Sequence, residues 1–369
     1  MIQERKKVLF LVPAFVGGAG GAERVITTVL RHLDHSRFEC HLALVLAGRV
    51  FLESLPVDVI VHNLGVVRMR YALPRIIKLV WKVRPQTILS TVSYLNVMLV
   101  LARPFLPSGI CLLIREATTP SAFIAKDVGN PRLWNWFYRR LYPRADKVIC
   151  LSDSMQRDLV EHFFLPSAKL VRIYNPVDMA TVRCQAELGE TPYSAPGPHI
   201  VAVGRLRREK GFDVLLQAFA GVLKSAPGAR LAILGEGPLE HQLKAQAISL
   251  GIDNAVSFLG FQANPWPYVK HADLFVLASR YEGLPNAVLE VLALGTPIVA
   301  TDCPGGIREI QKSAPQIVLV APENAPALTD AIVSALSRPE ETNRRAIEAE
   351  ECLRRFDIQQ IVDEYTRLL

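Results

Sequence analysis

Residues 273–295 read DLFVLASRYEGLPNAVLEVLALG. The run LFVLA is apolar without polar alternation, which marks a strand covered on both faces. AVLEVLALG has helical composition, and Gly295 stands where a left-handed residue would close the helix. Pro285 suits the first helical turn, because its missing N–H would find no partner there. Gly283 and Asn286 suit the approach to it. A buried strand, a short loop and a helix in that order are half of a parallel βαβ unit.

The same stretch holds two glutamates, Glu282 on the loop and Glu290 inside the helix. Carboxylates that hydrolyse a sugar bond face each other at about 5–9.5 Å. Eight residues of helix climb about 12 Å, so a hydrolytic pair does not fit. Two contact points on one elongated ligand lying over the helix start do fit. So does a plain reading, a capping carboxylate and an exposed helix charge.

Working outward, the same alternation fills the chain. In the first half KVLFLVP, HLALVLA, DVIVHNL, TILSTV, CLLIRE and KVICLS read as strands, with helices near 23–33, 72–84, 94–103, 132–142 and 153–162. In the second half HIVAVG, ARLAILGEG, VSFLGF, LFVLAS, PIVATD and IVLVAP are the strands, with helices near 212–225, 238–250, 285–294 and 325–337. This predicts an α/β protein of two Rossmann-like domains with parallel sheets, whose ligands bind beyond the C-terminal strand ends, in the cleft between the domains. The Gly-, Pro- and Ser-containing stretch ELGETPYSAPGPH, 187–199, is the linker. The domains are then 1–185 and 186–355, and an amphipathic helix at about 356–369 can cap either one.

The chain has 369 residues and a net charge of +7, unevenly spread. Residues 1–185 carry 25 Lys and Arg against 13 Asp and Glu, a net +12, and the remainder is −5. A basic half points to a polyanion or an anionic membrane surface. The six cysteines form no C-x-x-C pair, which fits a reducing cytoplasm and gives no zinc signature. No D-x-D triplet occurs, so a carboxylate-held nucleotide metal has no evident home. RKKVLFLVPAFVGGAGGA, 5–22, imitates a secretory signal, but Glu23, Arg24 and the amphipathic VITTVLRHL favour a buried strand running into a glycine loop. LNVMLVLA, 95–102, is far short of the roughly 20 apolar residues that span a bilayer.

Several strand ends carry loops with chemistry. GGAGGAERV, 17–25, brings glycines and a helix start together, which lets backbone approach a phosphate or sugar. In GRLRREKG, 204–211, Arg205 and Lys210 bracket a turn before a helix, a fitting site for a diphosphate. A solvated basic loop is the plain alternative. Gly235, Gly237 and Phe261 lie at neighbouring strand ends, where they could line a flat pocket for a base.

The ordered set GGAERV (20–25), NPVD (175–178), GRLRREKG (204–211), GEGP (235–238), FLG (258–260), EGLPNAVLE (282–290) and LGTPIVATDCPGG resembles family 4 glycosyltransferases of the GT-B fold. These motifs span nearly the whole chain. The resemblance implies that Arg205 and Lys210 hold the donor diphosphate, with Glu282 at the donor sugar and Glu290 at the nucleotide ribose. Gly20 and Gly21 would close over the donor from the first domain. Gly204, Gly235, Phe261, Gly283, Leu284, Pro285 and Asn286 would complete the donor site. It further implies retention of anomeric configuration, no metal and no cofactor, with a UDP-linked sugar as donor substrate, and a last helix returning to the first domain. EGLPN and TDCPGG resemble the branch that moves hexoses or N-acetylhexosamines in polysaccharide and lipid-linked glycan assembly.

One loop departs from the family pattern. After the fifth strand, where members carry a histidine or an Arg-Asn pair, this chain reads IREATTP. Glu116 matches the glutamate of that loop and stands as a candidate catalytic group beside Arg115 and Ala117. Readings left open are an epimerase or phosphorylase of the same fold, and a glycan-binding module without catalysis.

Two further segments mix cations with apolar residues. RMRYALPRIIKLVWKVRP, 68–85, sets Arg68, Arg70, Arg75, Lys78, Lys82 and Arg84 among aliphatic residues and Trp81. RLWNWFYRRLYPR, 132–144, sets Arg132, Arg139, Arg140 and Arg144 among aromatic ones. Together with the basic first half they predict peripheral docking on the cytoplasmic face of a membrane, with a glycan or lipid-diphosphate-linked acceptor and no nucleic acid. The plain alternative is core residues beside a solvated face.

Overall fold

A computed structural model describes residues 5–13, 21–46, 55–188, 191–337 and 349–369. The chain divides into two units, one of Met1–Pro176 with Ile358–Leu369 and one of Val177–Asp357.

The first unit holds strands β1 (Lys6–Val12), β2 (Phe38–Leu46), β3 (Ile60–Val66), β4 (Thr87–Thr91), β5 (Cys111–Arg115), β6 (Lys147–Cys150) and β7 (Leu170–Arg172). They form a parallel sheet in the order β3-β2-β1-β4-β5-β6-β7. Its helices are α1 (Gly21–His32), α2 (Ala72–Val83), α3 (Ser93–Ala102), α4 (Pro120–Asp127), α5 (Pro131–Arg140) and α6 (Asp153–Phe163). Val8 to Val12 are buried completely, so the apolar run of the signal-like segment forms an interior strand of this sheet. LNVMLVLA is most of α3, with Leu95, Leu99 and Val100 in the core. Among the described residues no helix is long and apolar enough to cross a membrane. The C-terminal helix, Ile358–Leu368, buries Ile361, Val362 and Tyr365 in this unit and lies beside α1. The Leu369 carbonyl accepts the Thr87 hydroxyl at 3.1 Å.

The second unit begins with α7 (Met179–Ala186) and holds β8 (His199–Val203), β9 (Arg230–Leu234), β10 (Val256–Gly260), β11 (Leu274–Leu277), β12 (Ile298–Thr301) and β13 (Val318–Val320). Its sheet is parallel in the order β10-β9-β8-β11-β12-β13. Its further helices are α8 (Phe212–Ser225), α9 (Glu240–Ser249), α10 (Trp266–Lys270), α11 (Asn286–Leu294), α12 (Ile307–Ser313), α13 (Ala325–Leu336) and the short α14 (Ala349–Leu353). Leu215 and Phe219 of α8 share one buried core with Ile233 and Val276 of the sheet.

The division falls between Pro176 and Val177, ahead of the 185/186 boundary read from the linker. The physical reason is α7, which packs on α10 and α11. Arg183 Nε in α7 also donates to the Ala293 carbonyl at 3.0 Å. Each sheet reverses its winding direction once, at β1/β4 and at β8/β11. In such doubly wound sheets, ligands bind beyond the carboxyl ends of the strands at that point.

Candidate active site

The loops after β8 and β11 flank the reversal point of the second sheet, and backbone geometry holds them together. Gly211 has φ 63°, and a Cβ there would stand 2.0 Å from the Ala278 carbonyl oxygen. Only glycine lets the β8 loop pass so close to the end of β11. Gly235 has φ 138°, and a Cβ on it would stand 1.9 Å from the Gly204 carbonyl oxygen, so the β9 loop closes on the β8 loop in the same way.

Arg280 ties the loops further. Its N–H donates to the Glu209 carbonyl at 2.7 Å. Its guanidinium donates to the Arg208 carbonyl at 2.8 Å, to both Asp213 oxygens at 2.8 and 2.7 Å, and to Glu323 at 2.9 Å. Hydrogen bonding to Asp213, only partly offset by burial, raises the Arg280 pKa. The loop holding Glu282 is fixed from its other side. The Glu282 N–H donates to the Pro304 carbonyl, and the Gly306 N–H to the Gly283 carbonyl, each at 2.8 Å.

Within this frame Lys210 Nζ donates to Glu282 Oε1 at 2.6 Å, and Ser279 Oγ donates to the same oxygen at 2.6 Å. Glu282 is buried and Lys210 half-buried. Burial disfavours the Lys210 ammonium, but the charge and hydrogen bond of Glu282 outweigh it and hold the lysine above its ordinary pKa. The cation is therefore fixed in place at neutral pH. Burial, reinforced by Glu282, pushes the nearby Cys303 thiol up to about 12, which keeps it protonated at neutral pH.

The helix α11 starts at Asn286, with Pro285 as its cap residue and no acidic residue in the first turn. It ends at Gly295 with φ 74°. Glu290 sits one helical stretch further on, where Trp266 Nε1 donates to its Oε2 at 2.8 Å. Glu282 and Glu290 thus lie on a loop and a helix, with separate partners. A carboxylate paired with a cation beside a helix N-terminus suits a diphosphate and its attached sugar.

The other candidate residues spread around this centre. Gly283, Leu284 and Pro285 are buried, Gly204 and Asn286 half-buried, and Arg205 exposed. The Phe261 N–H donates to Glu236 Oε1 at 3.4 Å, and its ring is partly exposed. Gly21 opens α1, while Gly20 lies outside the described residues.

Glu116 is a correction. It is fully buried, accepting from Ser93 Oγ (2.9 Å), Asn96 Nδ2 (3.0 Å), Tyr138 OH (3.2 Å) and Tyr142 OH. Burial, partly offset by these four donors, raises its pKa. A carboxyl so enclosed is a polar core of the first unit and not a group presented to a substrate. Its neighbour Arg115 is equally buried and donates to Asn175 and to Tyr365 OH (3.1 Å).

Sequence reasoning missed Arg280, Ser279, Asp213 and Trp266. For Ser279 and Arg280 the signal was their position directly after β11. Asp213 and Trp266 are separated from their partners by many residues, and no local pattern marks them.

Residues 19–181 match the family described as Glycosyltransferase Family 4, and residues 192–351 match Glycosyl transferases group 1. Over 303 residues the chain is 31% identical to N-acetylgalactosamine-N,N'-diacetylbacillosaminyl-diphospho-undecaprenol 4-alpha-N-acetylgalactosaminyltransferase of Campylobacter jejuni, covering 79% of this chain and 80% of that one. The chain belongs to glycosyltransferase family 4. A second relative in the family, the lipopolysaccharide core biosynthesis glycosyltransferase LpsE of Rhizobium meliloti, is 37% identical over 116 residues, 31% of this chain and 32% of that one. The fold of this family 4 glycosyltransferase is GT-B. Sucrose-phosphate synthase of Thermosynechococcus elongatus superposes with a TM-score of 0.81 at 18% identity, covering 99% of this chain and 98% of that chain. Anabaena HepE in complex with UDP and glucose superposes with a TM-score of 0.77 at 21% identity, covering 98% and 99%.

Proposed function

We propose that the chain transfers a hexose or N-acetylhexosamine from a UDP-linked sugar to a lipid-diphosphate-linked glycan, with retention of anomeric configuration and without metal or cofactor. The observation that carries this reading is the Lys210–Glu282 pair at the end of β11, beside the N-terminus of α11. The name of the Campylobacter jejuni relative, which acts on a diphospho-undecaprenol glycan, supports the acceptor class.

The chemistry follows from charge. Breaking the bond between the anomeric carbon and the phosphate oxygen builds negative charge on the nucleoside diphosphate. Lys210, Arg205 and the α11 amides stabilise that charge without a cation from solution. Glu282, oriented by Lys210 and Ser279, accepts hydrogen bonds from sugar hydroxyls, and Glu290 does so from the ribose. The acceptor hydroxyl attacks the anomeric carbon on the face the phosphate leaves, and its proton passes to the departing phosphate oxygen. The acceptor is met at the cytoplasmic face of an anionic membrane, drawn by the basic first half.

The test is a panel of UDP-sugars with a short-chain polyprenyl-diphosphate glycan, run in excess EDTA, with product mass and anomeric configuration read by mass spectrometry and NMR. Transfer with the donor's configuration kept is expected. Inverted product, or activity lost in EDTA and restored by magnesium or manganese, would overturn the corresponding part. Release of sugar phosphate on adding free phosphate would instead point to a phosphorylase.

A further inference from the structure

The surface of α5 and the end of α6 has a chemistry that folding of the first unit does not require. Trp134 and Tyr138 of α5 face inward, and the opposite side presents Trp136 (50% exposed) and Leu133 (45% exposed). Arg132, Arg139 and Arg140 share that exposed side, and α5 carries no acidic residue. The rings are continuous. Trp136 contacts Phe137 at 5.7 Å, Phe137 contacts Trp134 at 5.7 Å, and the half-exposed Tyr94 stands edge-on to Trp134 at 4.7 Å.

Phe164 adds a second, independent observation. It closes α6 in the left-handed conformation, φ 58° and ψ 33°, and is 71% exposed. Glycine is the residue that suits such a position. A phenylalanine there meets steric strain and places a ring in water. Arg139 lies over that ring at 5.0 Å and also donates to the His162 carbonyl at 3.1 Å, so Phe164 extends the α5 surface.

We propose that this surface is a lipid anchor, in which Trp136, Leu133 and Phe164 enter the headgroup region of an anionic membrane while Arg132, Arg139 and Arg140 bind its phosphates. Two features select lipid over a protein partner: every charged residue of α5 is an arginine, against the single exposed Glu161 at the end of α6, and amphipathic rings flanked by arginine suit the membrane–water interface. The anchor rests on the lipid-linked acceptor reading and adds to it a place of contact. The basic α2 segment contributes field but little insertion. Its Ile76, Leu79 and Val80 are core, and the Trp81 indole is engaged by the Phe105 carbonyl at 2.9 Å.

Co-sedimentation of the full chain with phosphatidylglycerol-containing vesicles, against pure phosphatidylcholine, reads the anchor directly. Phe164→Gly with Trp136→Ser should lower partitioning at least about tenfold, and each of Arg132, Arg139 and Arg140 changed to Ser about fivefold. Brominated lipids should quench the wild-type tryptophan emission and leave that of Trp136→Ser less affected. Phe164→Gly alone should hold or raise the urea midpoint, because it removes left-handed strain; a merely structural Phe164 would lower it. Unchanged vesicle binding in the double variant overturns the anchor, as does concentration-dependent self-association abolished by the same changes. Transfer to a short, water-soluble diphosphate acceptor should be unchanged in these variants. If wild type transfers to no such acceptor, the functional reading fails, whatever the vesicles show.

Discussion

Lys210 and Glu282 lie 72 positions apart in the chain and 2.6 Å apart in space. The sequence marked both, but as members of separate motifs, and their contact could not be read because it depends on how β8 and β11 come to be neighbours. Removing Lys210 leaves the buried Glu282 short of its cation and, on the proposed reading, takes away a donor for the departing diphosphate. Lys210→Ala should lower kcat by about 10²–10³, the scale for one lost oxyanion-type donor, and Glu282→Ala should abolish transfer with the fold retained. Near-normal turnover of Glu282→Ala would remove the sugar-contact role. Glu116 shows the opposite case, a residue matched to a functional loop that turns out to be core. Folding favours its protonated form, because burial raises its pKa. That contribution is fully present below the unfolded value of about 4.3 and is lost as pH rises through the folded one. Glu116→Gln should therefore gain stability relative to wild type across that rise, read as urea midpoints against pH. Parallel curves would mean that the carboxyl ionises freely in the folded chain.

Strands and long helices were legible because uninterrupted Val, Ile and Leu runs have few other uses in a chain of this size. The short elements were not. α10 holds five residues with a proline among them, and α12 follows Cys-Pro-Gly-Gly, so neither shows a helical period. β7, three residues long, gives too little apolar run to notice. Loop geometry was legible only as glycine placement, and Gly211 is the position that can be tested. Gly211→Ala would force a Cβ to within 2.0 Å of the Ala278 carbonyl in a left-handed backbone. The strain alone costs about 1–2 kcal/mol, and relief would need the β8 loop to move away from β11. The variant should melt lower and lose transfer together, because Lys210 moves with the loop. Arg280→Ala removes a clamp and not a contact of the substrate. It should cost about 1–3 kcal/mol, between exposed and buried pairs, since Asp213 and Glu323 are partly solvated. Wild-type stability in either variant would argue that these loops are held by something else.

At the scale of the molecule, charge separates two kinds of binding. Residues 1–185 carry +12 and the rest −5, yet the donor proposed for the acidic half is itself an anion. Its attraction must then be local, from Lys210 and the amides of α11, across distances shorter than the Debye length of about 8 Å at physiological salt. The proposed membrane binding by the basic half would sum many arginines and lysines and be open to screening. Raising salt should therefore strip the chain from anionic vesicles while leaving the stabilisation by a UDP-sugar almost intact. At one hundred times its Kd a donor adds about 2.7 kcal/mol, a rise in Tm of roughly 5–10 °C for a unit of this size. The rise should persist in EDTA and shrink in Glu290→Ala. Trp266→Phe should shrink it in part, because Glu290 loses the indole N–H that orients it. A donor shift that fell with salt as steeply as vesicle binding would place the nucleotide on the exposed basic surface, and the Lys210–Glu282 site would lose its assignment.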